Sequence, residues 1–173
     1  MDDADQDLID RSIAGDHTAF AELINRYKDA VYYHCFAIVR DEDLAEDIAQ
    51  ETFIGAYYNL RRYDNKYRLA TWLFKIGTNK CLNELKKTGK AIAADDKLLA
   101  KIASHEAVPH TKALETELYD AVEKLRPNYR AAISLHYWQG LDYASTAEVM
   151  NVPVNSVRVW LKRAKEELRK ELA

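Results

Sequence analysis

Apolar residues recur at steps of three and four along the first third of the chain, at Phe20, Leu23, Ile24, Tyr27 and Val31. This is the period of a helix with one buried face. A polar break at Arg40–Asp43 interrupts the pattern, which resumes at Ala45, Ile48, Ala49, Phe53, Ala56 and Leu60. Asp43 followed three residues later by Glu46 has the form of a capping box and predicts a second helix starting at Leu44. After the loop-like YDNKY of Tyr63–Tyr67, a third helix is expected over Ala70–Lys87. Together these make a small bundle from about residue 5 to residue 88.

Thr88–Lys112 breaks the pattern, with Gly89, Pro109, two histidines and only weak helical periodicity around Ile92 and Ile102. It is expected to be a partly helical linker. Beyond it, Leu114, Leu118, Val122 and Leu125 predict a helix that stops at Arg126, because proline at 127 disfavours helical geometry in the preceding residue. Further helices are expected over Asn128–Trp138, Tyr143–Met150 and Val154–Leu172, with Gly140 and Asn151 at the junctions. The predicted fold is all-α: two small helical domains, residues 1–88 and 113–173, joined by a flexible linker over 89–112.

Composition narrows the class without changing the fold. Five glycines and three prolines in 173 residues leave too little punctuation for sandwiches, barrels or Gly-rich nucleotide folds. No run of about 18 apolar residues occurs. The start, with Asp2, Asp3, Asp5 and Asp7, is the opposite of a basic signal peptide. The expectation is a soluble cytoplasmic protein with no direct membrane insertion. Cys35 and Cys81 sit singly in apolar helical stretches and read as small buried hydrophobes.

Charge changes the picture more, because the overall net of −3 conceals a segregation. Residues Met1–Glu51 carry 14 acids against 4 bases, Thr52–Lys90 carry 9 bases against 2 acids, and Val154–Lys170 carry 6 bases against 2 acids. Two separate basic surfaces point to two contacts with a polyanion.

The C-terminal basic segment lies in Leu141–Leu168, which has the build of a helix-turn-helix: a short helix, a tight turn at Asn151 and a second helix suited to a major groove. Ala147 is small where the helices meet, and Val152, Val157 and Leu161 can fill their shared core. Val157, Leu161, Ala164 and Leu168 form the buried stripe of the second helix, leaving Asn155, Arg158, Val159 and Lys162 facing outward. Arginine and lysine pair with guanine edges or phosphates, and valine can touch a thymine methyl. The competing reading is an amphipathic terminal helix with a solvated basic face.

In the N-terminal basic segment, Trp72, Lys75, Asn79, Asn83 and Lys86 fall on one narrow helical stripe, while Arg61–Arg68 adds Tyr63, Tyr67 and four bases. Unpaired bases stack on rings and hydrogen-bond to amides while their phosphates meet Lys and Arg. The competing reading makes Trp72 a core residue and Tyr63 a helix staple.

Catalytic chemistry finds no constellation. His34 and Cys35 are adjacent and diverge on a helix, His17, His105, His110 and His136 are scattered, and the acids Asp41, Glu42, Asp43, Glu46, Asp47 and Glu51 lack a liganding loop. No catalytic residue, metal or cofactor is expected.

Three stretches in order, DLAEDIAQETFIGAYYNLRRYD, ATWLFKIGTNKCLNELKK and the helix-turn-helix, make the chain resemble an extracytoplasmic-function (ECF) sigma factor of bacterial RNA polymerase. The resemblance implies a sigma-2 and a sigma-4 domain joined by a linker that threads toward the active-site channel and RNA exit path. It implies that the Ala45–Phe53 helix docks on the clamp coiled coil of the largest subunit of core RNA polymerase, through Asp47, Gln50, Glu51 and Phe53. It implies that Tyr63, Asn65, Lys66, Tyr67 and Arg68, with Trp72, Lys75, Asn79, Lys80 and Asn83, open and read the minus-ten element as a single strand. Asn155, Ser156, Arg158, Val159, Lys162 and Arg163 would meet duplex promoter DNA at the minus-thirty-five element, while the outer sigma-4 surface binds the flap of the second-largest subunit. An anti-sigma factor is the regulator the resemblance implies. The chain departs from the family where Val159 and Trp160 replace a frequent Ser-Arg, and where proline comes one place late in LRPNYR.

The main rival is a helix-turn-helix regulator whose N-terminal domain dimerises or senses a ligand, and which binds a palindrome without polymerase. The acidic-then-basic split and the aromatic–amide–basic stripe argue against it, since a dimer face would be more uniformly apolar. A pure adaptor, the third class, would not need two basic strips.

Overall fold

The computed structural model describes residues 3–89, 118 and 120–172. Among them every regular element is helical, and the chain divides into two compact units, Met1–Glu84 and Leu85–Ala173. Apart from Thr88 and Gly89, the expected linker lies outside the described residues, as do Leu114 and the start of its predicted helix.

The first unit opens with a helix that the sequence pattern did not announce, α1 (Asp3–Ile13). Its aspartates mask a short apolar side made by Leu8 and Ile9, both 3% exposed. Asp5 is buried with it, accepting from Arg26 at 3.0 Å and from the Tyr27 hydroxyl, which ties α1 to the next helix. A turn through Gly15, at φ +100, leads into α2 (His17–Val39). Asp16 caps α2 by accepting from the N–H groups of Thr18 and Ala19, satisfying two orphan donors of the first turn.

Arg40 ends α2 in the left-handed conformation, at φ 57, with its N–H on the Phe36 carbonyl. α3 (Glu42–Asn59) starts two residues earlier than the capping-box reading placed it. The cap is Asp41, in extended conformation, whose carboxylate accepts from Leu44 N at 3.0 Å. Asp43 instead lies inside the first turn with Glu42, where both acids favour the positive helix end. Ala45, Ile48, Ala49, Phe53, Ala56 and Leu60 are all buried as the periodicity predicts, and Thr52 joins them by bonding its hydroxyl to Ile48 O at 2.8 Å. A 3-10 turn (Leu60–Arg62) and an irregular loop lead to α4 (Leu69–Lys87).

α4 packs on α2 and α3 through small residues. Gly77 lies where an added Cβ would stand 3.3 Å from Cys35 Sγ and 3.4 Å from Thr52 Oγ1. Cys35 and Cys81 are wholly buried free thiols. The hydrogen bond with Cys35 and burial push the Cys81 thiol above its ordinary range.

His34 is also fully buried, its Nε2 2.7 Å from Thr78 Oγ1 and its ring edge-on to Phe74. Burial lowers its pKa from 6.5 to about 3. The unfolded chain therefore takes up a proton near pH 6.5 that the folded unit refuses. Stability is complete above that pH and is expected to decline toward pH 3 with a slope approaching about 1.4 kcal/mol per pH unit. Denaturant titrations at pH 7 and pH 5 check this: His34→Gln should be less stable at pH 7 yet lack this part of the slope. An unchanged slope would mean that His34 is not its source.

In the second unit, residues 120–123 end a helical stretch before Arg126, which is extended at ψ 147 as a residue before proline should be. The Arg130 guanidinium is buried against that helix end and donates to the carbonyls of Glu123 and Leu125 at 3.1 and 2.6 Å. α5 (Pro127–Ile133) begins on the proline, one residue before the expected start, because a first helical position needs no N–H. It runs on into a π-helical turn over Ser134–Trp138, which periodicity did not predict. Gly140, at φ 69, and the Asp142 cap set up α6 (Tyr143–Met150). Asn151 takes the left-handed conformation at φ 52, and the N–H of Val152 reaches back to Ala147 O at 3.1 Å. α7 (Val154–Glu171) then buries Val157, Leu161, Ala164 and Leu168, the stripe its sequence predicts.

Candidate nucleic-acid and polymerase interfaces

α4 presents the predicted strip. Trp72 and Lys75 are half-buried, Asn79, Asn83 and Lys86 are exposed, and Leu69, Leu73, Phe74, Cys81 and Leu85 are buried. At the start of the strip the Tyr63 ring lies 5.3 Å from that of Trp72, at 49°. The Tyr63 hydroxyl donates to Tyr67 O, and Asp64 accepts from Lys66 N at 3.1 Å, so the loop is closed by its own bonds. Burial raises the Tyr63 phenol pKa and keeps it neutral. Asn65, Lys66, Tyr67 and Arg68 are exposed. Between this loop and Asp5, Gln6 and Ile9 of α1 lies a cleft of about 160 Å³, room for one small planar group but not for a base pair.

Lys80 does not stand alone on the strip: its Nζ lies 2.8 Å from the Glu51 carboxylate of α3. That pair marks where the basic face of α4 adjoins the acidic face of α3. On the acidic face, Asp47, Gln50 and Glu51 are exposed, and Gln50 donates to Glu46. Phe53 is 7% exposed and belongs to the wall between α2 and α3. There a groove of about 980 Å³ is floored by Phe20, Ala49 and Phe53 and rimmed by Asp29, Glu42, Asp43 and Glu46. At its end Ile54 is 57% and Tyr58 80% exposed. Sequence reading missed this apolar end. Its only signal was that both positions fall outside the periodic buried set of α3.

On α7, Asn155 and Arg158 are exposed, while Val159, Lys162 and Arg163 are half-buried. Ser156 is 5% exposed and buried beside Val157 on the first turn of α7. It precedes Val157 on that turn, and its N–H bonds to Pro153 O. Arg158 donates to Asn155 Oδ1 at 3.3 Å, and its Cζ stands 5.8 Å from the ring centre of Tyr143. Lys162 reaches Glu166 at 3.9 Å, a long i,i+4 pairing of the kind that contributes little to stability. Among the described residues no three His, Cys, Asp or Glu side chains gather where they could hold a metal ion, and no helix is long and apolar enough to cross a membrane.

Both units match known family models: residues 23–91 match sigma-70 region 2, and residues 115–168 match sigma-70 region 4. The chain is 32% identical over 170 residues to the ECF RNA polymerase sigma factor SigW of Bacillus subtilis, covering 91% of each chain. Among solved structures it is similar to CnrH in complex with the cytosolic domain of CnrY, with a TM-score of 0.70, 24% identity and coverage of 98% of this chain and 97% of that one. It is similar also to the sigma factor RpoE in complex with the anti-sigma factor NepR from Bartonella quintana, with a TM-score of 0.69, 23% identity and coverage of 88% and 96%. At those identities the likeness concerns the fold. The two region models in this order, and a relative matched along nine-tenths of its length, place the chain in the ECF group of sigma-70 family sigma factors, the promoter-specificity subunits of RNA polymerase.

Proposed function

We propose that this sigma factor divides its work among four surfaces. The acidic face of α3, with Asp47, Gln50 and Glu51, and the apolar end of the neighbouring groove at Ile54 and Tyr58 dock on the clamp coiled coil of core polymerase. The α4 strip and the Tyr63–Arg68 loop hold the minus-ten element as a single strand, with one unstacked base in the cleft beside α1. Asn155, Arg158, Val159, Lys162 and Arg163 on α7 meet the minus-thirty-five duplex in its major groove, and the outer face of the same unit meets the flap of the second-largest subunit. The domains responsible are residues 1–88 and 113–173, joined through 89–112.

The observation that carries this reading is the α4 strip, where a half-buried ring and cation, Trp72 and Lys75, run in line with the exposed amides Asn79 and Asn83, beside a cleft the size of one small planar group. A duplex binder has no use for that order, since bases inside a stack offer no face to Trp72. Opening costs about 1.4 kcal/mol per base-pair step, which captured bases and polymerase contacts offset together. The protein performs no covalent step of its own and acts in the cytoplasm. An anti-sigma factor, as the RpoE relative has, restrains it by covering these surfaces.

The test is run-off transcription with purified core polymerase on fragmented genomic DNA. Discrete transcripts that need this protein are expected, and their start sites reveal the promoter. Tight binding of a palindromic duplex by the protein alone, with no transcripts, would replace this reading by the dimeric regulator.

A further inference from the structure

The second unit carries a stack of side chains that none of the roles above uses. The ring of His136 lies parallel to that of Tyr143, 4.7 Å apart at 19°, and edge-on to Tyr137 at 4.7 Å and 75°. His136 sits in the π-helical turn, and its Nδ1 is 2.7 Å from Leu141 O, so Nδ1 carries the hydrogen and the ring cannot swing away. Tyr143 is the first residue of α6, whose cap Asp142 accepts from Ser145 N at 2.7 Å. The Arg158 guanidinium carbon of α7 stands 5.8 Å from the centre of the Tyr143 ring, and the Asn155 amide oxygen takes one Arg158 N–H.

The ring and the amide together restrict the positions open to the guanidinium. An arginine reads guanine through two parallel N–H donors, which needs this kind of prior fixing, whereas a phosphate accepts a cation from many directions. We propose that Tyr143, braced by His136, is a positioning residue that sets Arg158 for bidentate readout of one guanine in the minus-thirty-five element. The inference rests on α7 being the duplex reader and goes beyond it by naming how one contact obtains its specificity. It also gives a use to the π-helical turn, which brings His136 under the Tyr143 ring.

The experiment measures binding of the complete holoenzyme to the promoter found by run-off transcription and to variants with each minus-thirty-five base pair replaced in turn. Wild type should discriminate at one G·C pair, and Arg158→Lys, which keeps the charge but not the planar fork, should abolish discrimination there alone. Tyr143→Leu is expected to reduce that same discrimination about fivefold, the size of a lost cation–π contact. Tyr143→Phe should restore it, because the ring face is kept. In the Arg158→Lys background, Tyr143→Leu should cost no further discrimination, an outcome that general loosening of the fold would not give. If Tyr143→Leu weakened binding to every sequence equally, or left discrimination intact, Tyr143 would not set Arg158 for base readout and the proposal would fall. If wild-type holoenzyme ignored the minus-thirty-five sequence altogether, the assignment of α7 would fall first and take the proposal with it.

Discussion

Replacing Lys75 and Asn79 together by alanine is expected to lower open-complex formation about 100-fold while leaving affinity for core polymerase unchanged. Both lie on the α4 strip, Lys75 half-buried beside Trp72 and Asn79 exposed one turn further on. A hydrogen bond or ion contact involving a charged group contributes about 1.5–3 kcal/mol, so losing one such contact and one amide contact amounts to two decades in the opening equilibrium. Asp47→Ala with Gln50→Ala should do the reverse, since these side chains leave α3 on the acidic face. Permanganate footprinting reads the first effect, and fluorescence anisotropy of labelled protein with core polymerase reads the second. The two surfaces adjoin at the Glu51–Lys80 pair, so the separation is a demanding one. Equal losses of both activities in both variants would mean that the division of labour is wrong.

Gly77→Leu is expected to destabilise the first unit by about 3 kcal/mol, at the upper end of ordinary overpacking. The position faces Cys35 Sγ and Thr52 Oγ1 at distances where even a Cβ is tight, and both partners are 0% exposed with nowhere to retreat. Gly77→Ala should stay within about 1 kcal/mol of wild type, because relief of the glycine penalty in a helix interior, about 1 kcal/mol, opposes the crowding. Hydrogen exchange of the amides of α2, α3 and α4 separates this effect from events in the second unit. A leucine variant with native protection there would show that the three helices can part at Gly77 without loss.

Periodicity found α2, α3, α4, α6 and α7 because each buries a stripe of large apolar residues, and burial of such residues is the strongest term in folding. It did not find α1, where five acids in or beside eleven residues hide the few apolar positions, and where the decisive contacts are Asp5 with Arg26 and Tyr27, more than twenty residues away. It shifted the α3 cap because Asp41 and Asp43 are equally good candidates as letters. Only the left-handed Arg40 decides which of them is extended.

The sites divide in the same way. The amino-acid order alone determined that the protein is helical, that acid and base are segregated along it, and that Trp72, Lys75, Asn79 and Asn83 share one side of a helix, as do Asn155, Arg158 and Lys162. These follow from local geometry, since 3.6 residues per turn fix which side chains are neighbours. Tertiary structure decided that Phe53 and Ser156 face inward, that Lys80 is held by Glu51, that α1 walls the cleft beside Tyr63, and that Tyr143 lies against Arg158. Each of these joins residues from different helices or turns on which way a helix is rotated against its neighbours, and that rotation is set by close packing across the whole unit, not by any one segment's pattern.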